Sequence, residues 1–177
     1  SLKRRGGGTQ DSQVIGEEVI GNGEISGKGR GGRGGNGQFT RRENISSGDG
    51  YVEFSSSETN TYKMGGLSNG DTNQNYTDID FAVFLEATAN VYIYEGGSCV
   101  YGLVNSGCST QVNTPYVAGD IFRVAVESGK VKYYKNGTLL YTNNTPALAY
   151  PLLFDTSLHS AVPTITNAKI FSTNSSS

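Results

Sequence analysis

Gly119-Asp120-Ile121-Phe122-Arg123-Val124-Ala125-Val126-Glu127-Ser128-Gly129-Lys130-Val131-Lys132-Tyr133-Tyr134-Lys135-Asn136-Gly137 is the stretch whose reading decides the fold. Ile121, Arg123, Ala125 and Glu127 alternate with Phe122, Val124 and Val126, the period of a strand with one face in a core. Ser128-Gly129 is a tight turn into Val131 and Tyr133, which alternate with Lys132 and Tyr134. Asn136-Gly137 is the strongest hairpin signal in the chain, because both turn positions need positive φ. Leu139 to Tyr141 returns from it. Three antiparallel strands are therefore expected here.

The same punctuation recurs outward, about every eight to twelve residues, the spacing of a sandwich or barrel. Gly48-Asp49-Gly50 precedes a run from Tyr51 to Ser57, and Gly65-Gly66 interrupts a run from Thr61 to Leu67 that Ser68-Asn69-Gly70-Asp71 closes. Ile79, Phe81, Val83 and Leu85 read as one buried face of a central strand. Val91 to Tyr94, Cys99 to Val104, Pro151 to Phe154 and Val162 to Phe171 complete a set of ten or more strands. No convincing helix is present, and helix formers are thin beside 11 Tyr, 7 Phe and many Val, Ile and Thr. The expected fold is all-β: an antiparallel two-sheet β-sandwich.

A length of 177 residues suits one domain. It is read as a flexible basic tail at 1–13, a single sandwich at 14–171 holding a Gly/Arg-rich loop at 28–37, and a polar tail at 172–177. The start lacks an initiator Met and a signal peptide, which reads as either a processed chain or an engineered piece; Lys3-Arg4-Arg5 is first a solvated tail and second the remnant of a processing site. No apolar stretch approaches the roughly 20 residues of a membrane-spanning helix. Residues 1–42 hold 13 of the 25 Gly and eight basic against four acidic groups, a formal +4; the remainder has six and twelve, a formal −6. The net charge of −2 hides that asymmetry.

From Gly119 through Lys130-Val131-Lys132-Tyr133-Tyr134-Lys135-Asn136-Gly137 to Tyr150-Pro151-Leu152-Leu153, the chain resembles the concanavalin A-like and SPRY-type β-sandwich, with its "GD-x-hydrophobic" strand, "K-N-G" hairpin and "Y-P-hydrophobic" strand. Gly48 to Phe54 and Tyr62 to Ser68 are similar to the earlier strands of such domains. The stretch 48–158 resembles modules of large bacterial surface and secreted proteins. The resemblance implies a jelly-roll sandwich, with Val19 to Ile25 and Val162 to Phe171 as paired terminal strands. It implies little about ligand, since fold and function separate easily in sandwiches.

Several constellations bear on chemistry. A lone His excludes a two-histidine metal site and leaves little room for a Ser-His-Asp hydrolase. Gly29-Arg30-Gly31-Gly32-Arg33-Gly34-Gly35 looks like an RGG box, but a mobile loop needing Gly is preferred, so nucleic acid is not the expected partner. Asp71, Asn73, Asn75, Asp78 and Asp80 form an oxygen-rich loop in which calcium on Asp71, Asp78 and Asp80 is conceivable by analogy with lectins. The EF-hand spacing fails, and Asx-turn chemistry explains the loop without a cofactor. Asp78 and Asp80, two apart on a strand, would present carboxylates at about 7 Å on one face; the third carboxylate of a glucanase strand is missing, since Ala82 and Val83 stand there. Cys99 and Cys108 are read as a disulfide and hence as a sign of an oxidising compartment, with free thiols or an incomplete metal site as alternatives. Sequons stand at Asn44, Asn75, Asn136, Asn143 and Asn174.

The Tyr residues exceed what a core needs, and planar rings at a surface are low-entropy contacts for sugar faces. Tyr76 and Tyr116, both in turn-rich segments, are the first candidates, with Tyr76 as the expected stacking platform. These readings favour a secreted or cell-surface, non-catalytic recognition module. It would bind glycan or a protein surface through loops at one end, Asn69 to Asp78 and Asn105 to Tyr116, with Asp71, Asn73, Asn75, Tyr76 and Tyr116 as contacts. The alternative is a structural subunit of an extracellular filament or coat, self-assembling through its basic segment and acidic body. A glycoside hydrolase ranks last.

Overall fold

The computed structural model describes residues 44–69, 76–159 and 163–173, with the backbone of two further strands at 5–6 and 13–20. The Gly/Arg-rich 28–37 stretch, the loop residues Asp71, Asn73 and Asn75, and the last four residues lie outside the described set. In chain order the strands are β1 (Arg5–Gly6), β2 (Gln13–Ile20), β3 (Gly50–Ser55), β4 (Tyr62–Ser68), β5 (Phe81–Glu86), β6 (Asn90–Glu95) and β7 (Ser98–Gly102). They continue as β8 (Thr110–Gln111), β9 (Phe122–Glu127), β10 (Lys130–Lys135), β11 (Thr138–Asn143), β12 (Leu153–His159) and β13 (Thr164–Ser172). The one helical element among the described residues is a 3-10 turn at Tyr76–Asp78, and no described helix is long and apolar enough to cross a membrane.

Two sheets form a jelly-roll sandwich. One has seven strands in the order β1-β12-β4-β5-β6-β7-β8, the other six in the order β11-β10-β9-β3-β13-β2. Pairing is antiparallel except for β1 with β12, β2 with β13 and β7 with β8. Arg5–Gly6, read from sequence as tail, thus occupies the edge of β12. Alternation along each strand supplies the core. Phe81, Val83 and Leu85 face Val52, Phe54, Phe122, Val124, Val126, Val131 and Tyr133 across the sandwich, all within one buried cluster. Fully burying a side chain of this size stabilises by roughly 1.5–3 kcal/mol, so the cluster is the main source of cohesion. The hairpins form as their turn chemistry requires, with Asn136 at φ 50° and Gly137 at φ 81° joining β10 to β11.

Two sequence expectations change. Ile79 does not continue the inner face of β5; the strand begins at Phe81, and Ile79 packs on the opposite face with Met64 and Ala82. The residues between the 3-10 turn and β5 break the period of two. Gly65-Gly66 does not interrupt its run but lies inside β4, where a Cβ on Gly66 would stand 1.8 Å from the Phe81 carbonyl oxygen.

At one end of the sandwich a charge is buried. Lys63 sits on the inner face of β4 with its side chain 0% exposed. Its Nζ donates to the Glu58 carbonyl oxygen at 2.6 Å, to Glu58 Oε2 at 3.0 Å and to Thr61 Oγ1 at 3.0 Å. Glu58 also accepts from the Thr164 amide at 3.1 Å and from the hydroxyls of Thr61 and Thr164, tying the β3–β4 connection to the start of β13.

Candidate ligand-binding face

Because the core takes one parity of each strand, the other parity of β4, β5 and β6 faces outward. Register then builds rows across the seven-stranded sheet. Met64 pairs with Phe84, and Phe84 with Tyr92. Gly66 pairs with Ala82 and Ala82 with Tyr94, while Tyr62 pairs with His159. The result is a contiguous set of rings. Tyr62 lies 6.1 Å from Phe84, Phe84 5.8 Å from Tyr92 and 5.5 Å from Tyr94, and Tyr76 joins Tyr94 edge-on at 6.2 Å. Tyr62 is 41% and Tyr76 45% exposed, with Phe84, Tyr92 and Tyr94 half-buried between them.

The set rests on a firm base. Met64, Ile79 and Ala82 form a small buried cluster against Phe84 and Tyr94. At the β7 side, Gly102 leaves the space that the Tyr92 ring occupies: a Cβ there would stand 2.3 Å from that ring and 2.7 Å from Cys108 Sγ. Cys108 is disulfide-bonded to Cys99, as read from the sequence, so the bond braces the border of the ring set.

Burial, then the Glu86 charge and Tyr94, raise the Tyr92 phenol, and burial followed by Tyr76 raises that of Tyr94. Both hydroxyls therefore stay protonated at neutral pH and can donate as well as accept. Glu86 Oε2 accepts from the Thr88 amide at 3.3 Å and from the Thr88 hydroxyl. No group of three His, Cys, Asp or Glu able to hold a metal ion occurs among the described residues.

The structure separates the residues that the sequence grouped. The connection at 69–80 leaves β4 at the end where Leu67 pairs with Phe81 and Phe81 with Glu95; that at 103–121 leaves β7 at the other end, where Leu85 pairs with Val91. The described parts of the two expected binding loops are therefore anchored at opposite ends. Tyr76 borders the ring set, but Tyr116 is 3% exposed, packs edge-on against Phe122 at 5.6 Å and carries the Lys63 ammonium 5.6 Å from its ring centre. Asp78 belongs to the 3-10 turn, and Asp80 Oδ2 accepts from the Asn69 amide at 2.8 Å, so the two carboxylates do not share a strand face. Asp71, Asn73 and Asn75 lie outside the described residues. Tyr62, Phe84, Tyr92 and Tyr94 were not singled out as a group. Their signal was parity, since each alternates with core residues in its own strand.

The outer face of the six-stranded sheet differs in kind. Two hollows of about 310 and 270 Å³ share Glu53 and Ile121. Their charges already satisfy one another: Arg123 Nε donates to Glu53 Oε2 at 2.6 Å and its guanidinium lies 3.8 Å from the Tyr51 ring centre, while Lys132 pairs with Glu127 at 3.2 Å. This face reads as an ion-paired sheet surface.

No family model and no curated protein sequence matches the chain. Among solved structures, an alginate lyase from polysaccharide lyase family 7 matches 69% of this chain at 19% identity and a TM-score of 0.45, and the chain spans 51% of that lyase. The carbohydrate-binding module CBM66 from Bacillus subtilis matches 71% at 13% identity and 0.42, covering 76% of that module. Sheep galectin-11, in complex with glycerol, matches 73% at 11% identity and 0.43, covering 96% of that chain.

Proposed function

We propose that the outward face of the seven-stranded sheet binds a glycan chain by stacking, without catalysis, in a secreted or cell-surface protein. The observation that carries this reading is the contiguous ring set Tyr62-Phe84-Tyr92-Tyr94-Tyr76 on a solvent-facing surface. Aromatic rings clustered outside a core are a recognition surface by physical default, because a soluble protein otherwise hides such area. Centroid spacings run from 5.5 to 6.4 Å; Tyr62 and Phe84 lie 15° from parallel, while Phe84–Tyr92, Tyr92–Tyr94 and Phe84–Tyr94 meet at 53°, 46° and 85°, so a pyranose chain would pack its C–H faces on inclined rings one at a time, with its hydroxyls reaching the Tyr hydroxyls at the margin. The disulfide supports an oxidising compartment.

The test is a soluble-polysaccharide panel read by affinity electrophoresis and calorimetry on the wild type and the Tyr62→Ala/Tyr92→Ala double variant. At about 1 kcal/mol per stacked ring, the double variant loses binding by about 30-fold with unchanged circular dichroism. A change below two-fold overturns the reading. Ultraviolet-absorbing unsaturated product from alginate incubated with the wild type would overturn its non-catalytic part.

A further inference from the structure

We infer that the ring face selects uncharged pyranose chains and turns away polyuronates. The inference rests on the binding reading above and concerns only the charge of the ligand. It comes from where the cations stand. Among residues whose side chains are described, Arg123 is on β9, Lys130, Lys132 and Lys135 are on β10, and Lys169 is on β13, all in the six-stranded sheet. The exception, Lys63, is on β4 but points inward, where Glu58 holds it.

The outer face of the seven-stranded sheet carries carboxylates instead. Glu86 follows Phe84 by two on β5 and pairs with Asn90, diagonally from Tyr92, and Asp78 stands in the 3-10 turn that carries Tyr76; Asp155 shares the outward parity on β12 but is 0% exposed. The Glu86 charge already reaches Tyr92, where after burial it is the next cause of the raised phenol. His159, opposite Tyr62, is the only nitrogen base among the described side chains of this face. β1, which carries Arg5, borders β12 and stands three strand spacings from β5, about 14 Å. That exceeds the screening length of about 10 Å at 0.1 M salt.

A uronate stacked on Tyr92 would bring a carboxylate near Glu86. Two like charges about 8 Å apart in water weaken binding about two-fold, and the effect grows where stacking excludes solvent. For a polymer that passes both Glu86 and Asp78, the loss reaches about four-fold. A neutral hexose chain suffers none of it and keeps its stacking.

The experiment uses the full chain at pH 8 with neutral chains (laminarin, mannan, xylan and hydroxyethylcellulose) and with alginate and polygalacturonate, at 0.1 and 1 M NaCl. The expected result is that the best neutral chain binds at least about four-fold tighter than either polyuronate at 0.1 M. That gap should close to within about 1.5-fold at 1 M, where the screening length falls to about 3 Å. Glu86→Lys should move alginate up by at least about four-fold without changing the neutral chain. Equal or tighter polyuronate binding at 0.1 M that Tyr62→Ala/Tyr92→Ala abolishes overturns the charge inference and leaves the ring-face reading standing. Failure of every chain to bind overturns both.

Discussion

Replacing Glu58 by Ala should destabilise the domain far beyond what a surface acid is worth, and the reason lies in what it leaves behind. Lys63 keeps its inward position on β4 with a side chain 0% exposed, but loses its counter-charge at 3.0 Å; Thr164 loses an acceptor for both its amide and its hydroxyl. Removing one member of a buried ion pair typically costs about 3–5 kcal/mol, because a desolvated charge is stranded. Glu58 itself is 21% exposed, and Lys63 retains the Glu58 backbone carbonyl and Thr61 Oγ1 as acceptors, so the lower limit of about 3 kcal/mol is the better figure. In a domain of this size that lowers Tm by about 6–12 °C.

The companion variant Glu58→Gln/Lys63→Met removes the pair together and should recover most of the loss, since a well-packed apolar replacement is often neutral or stabilising. Urea unfolding followed by circular dichroism and Tyr fluorescence (the chain has no Trp) measures both variants. A Glu58→Ala cost below about 1 kcal/mol, or a double variant no more stable than Glu58→Ala, refutes the claim that a stranded charge sets the cost. The pH dependence adds a check. Burial opposes ionisation of Glu58, but hydrogen bonds from Thr164, Thr61 and Lys63, with the Lys63 charge, outweigh it and hold the carboxyl below its ordinary value. A depressed carboxyl contributes stability that is complete above the unfolded value of 4.5 and fades as pH falls through the folded one. Acid denaturation should therefore lose this component in Glu58→Gln.

Cys99→Ser/Cys108→Ser opens a loop of sequence separation 9 and should cost about 2–3 kcal/mol in the loop-entropy view. Because Gly102 and the Cys108 sulfur abut the Tyr92 ring, it should also weaken glycan binding measured by calorimetry at a temperature where the variant is folded; stability loss with unchanged affinity would remove the disulfide from the binding face. Tyr116→Phe deletes a buried hydroxyl that finds no partner among the described residues, so stability by thermal melt should stay level or rise by up to about 1 kcal/mol. A loss above about 1 kcal/mol would show that the hydroxyl is hydrogen-bonded in solution.

The hairpins from Phe122 to Asn143 were legible because their instructions are local: a period of two and turn residues that tolerate positive φ. The disulfide was legible for a similar reason, since few positions competed for it. The ring face was not. Tyr62, Phe84, Tyr92 and Tyr94 lie on three strands, and parity says that each points away from the core but not which strands are neighbours; register decides that. Tyr116 misled for the opposite reason. Its turn-rich surroundings suggested a surface, yet the 103–121 connection folds back so that the Tyr116 amide donates to Ala89 at 3.0 Å and the ring closes the core beside Phe122. Likewise Lys63 carries a charge where alternation demands an inward residue, and only its proximity to Glu58 makes that tolerable.

The placement of the rings bears on what kind of recognition this fold can perform. A site on the end loops must order backbone on binding, which subtracts from affinity. Four of the five rings, Tyr62, Phe84, Tyr92 and Tyr94, instead stand on β4, β5 and β6, each paired on both sides, over buried Met64, Ile79 and Ala82, with Tyr76 joining from the 3-10 turn. Ordering there costs little beyond the exposed Tyr62 and Tyr76, so contact area converts to affinity with smaller loss. A rigid platform in turn cannot adapt to a ligand's shape. On the proposed reading its selectivity comes from ring spacing, which register fixes, and from a margin on which no described Lys or Arg side chain stands. The end loops can then vary in sequence apart from Tyr76 and Asp78 in one and Cys108 in the other, the positions through which they reach the platform.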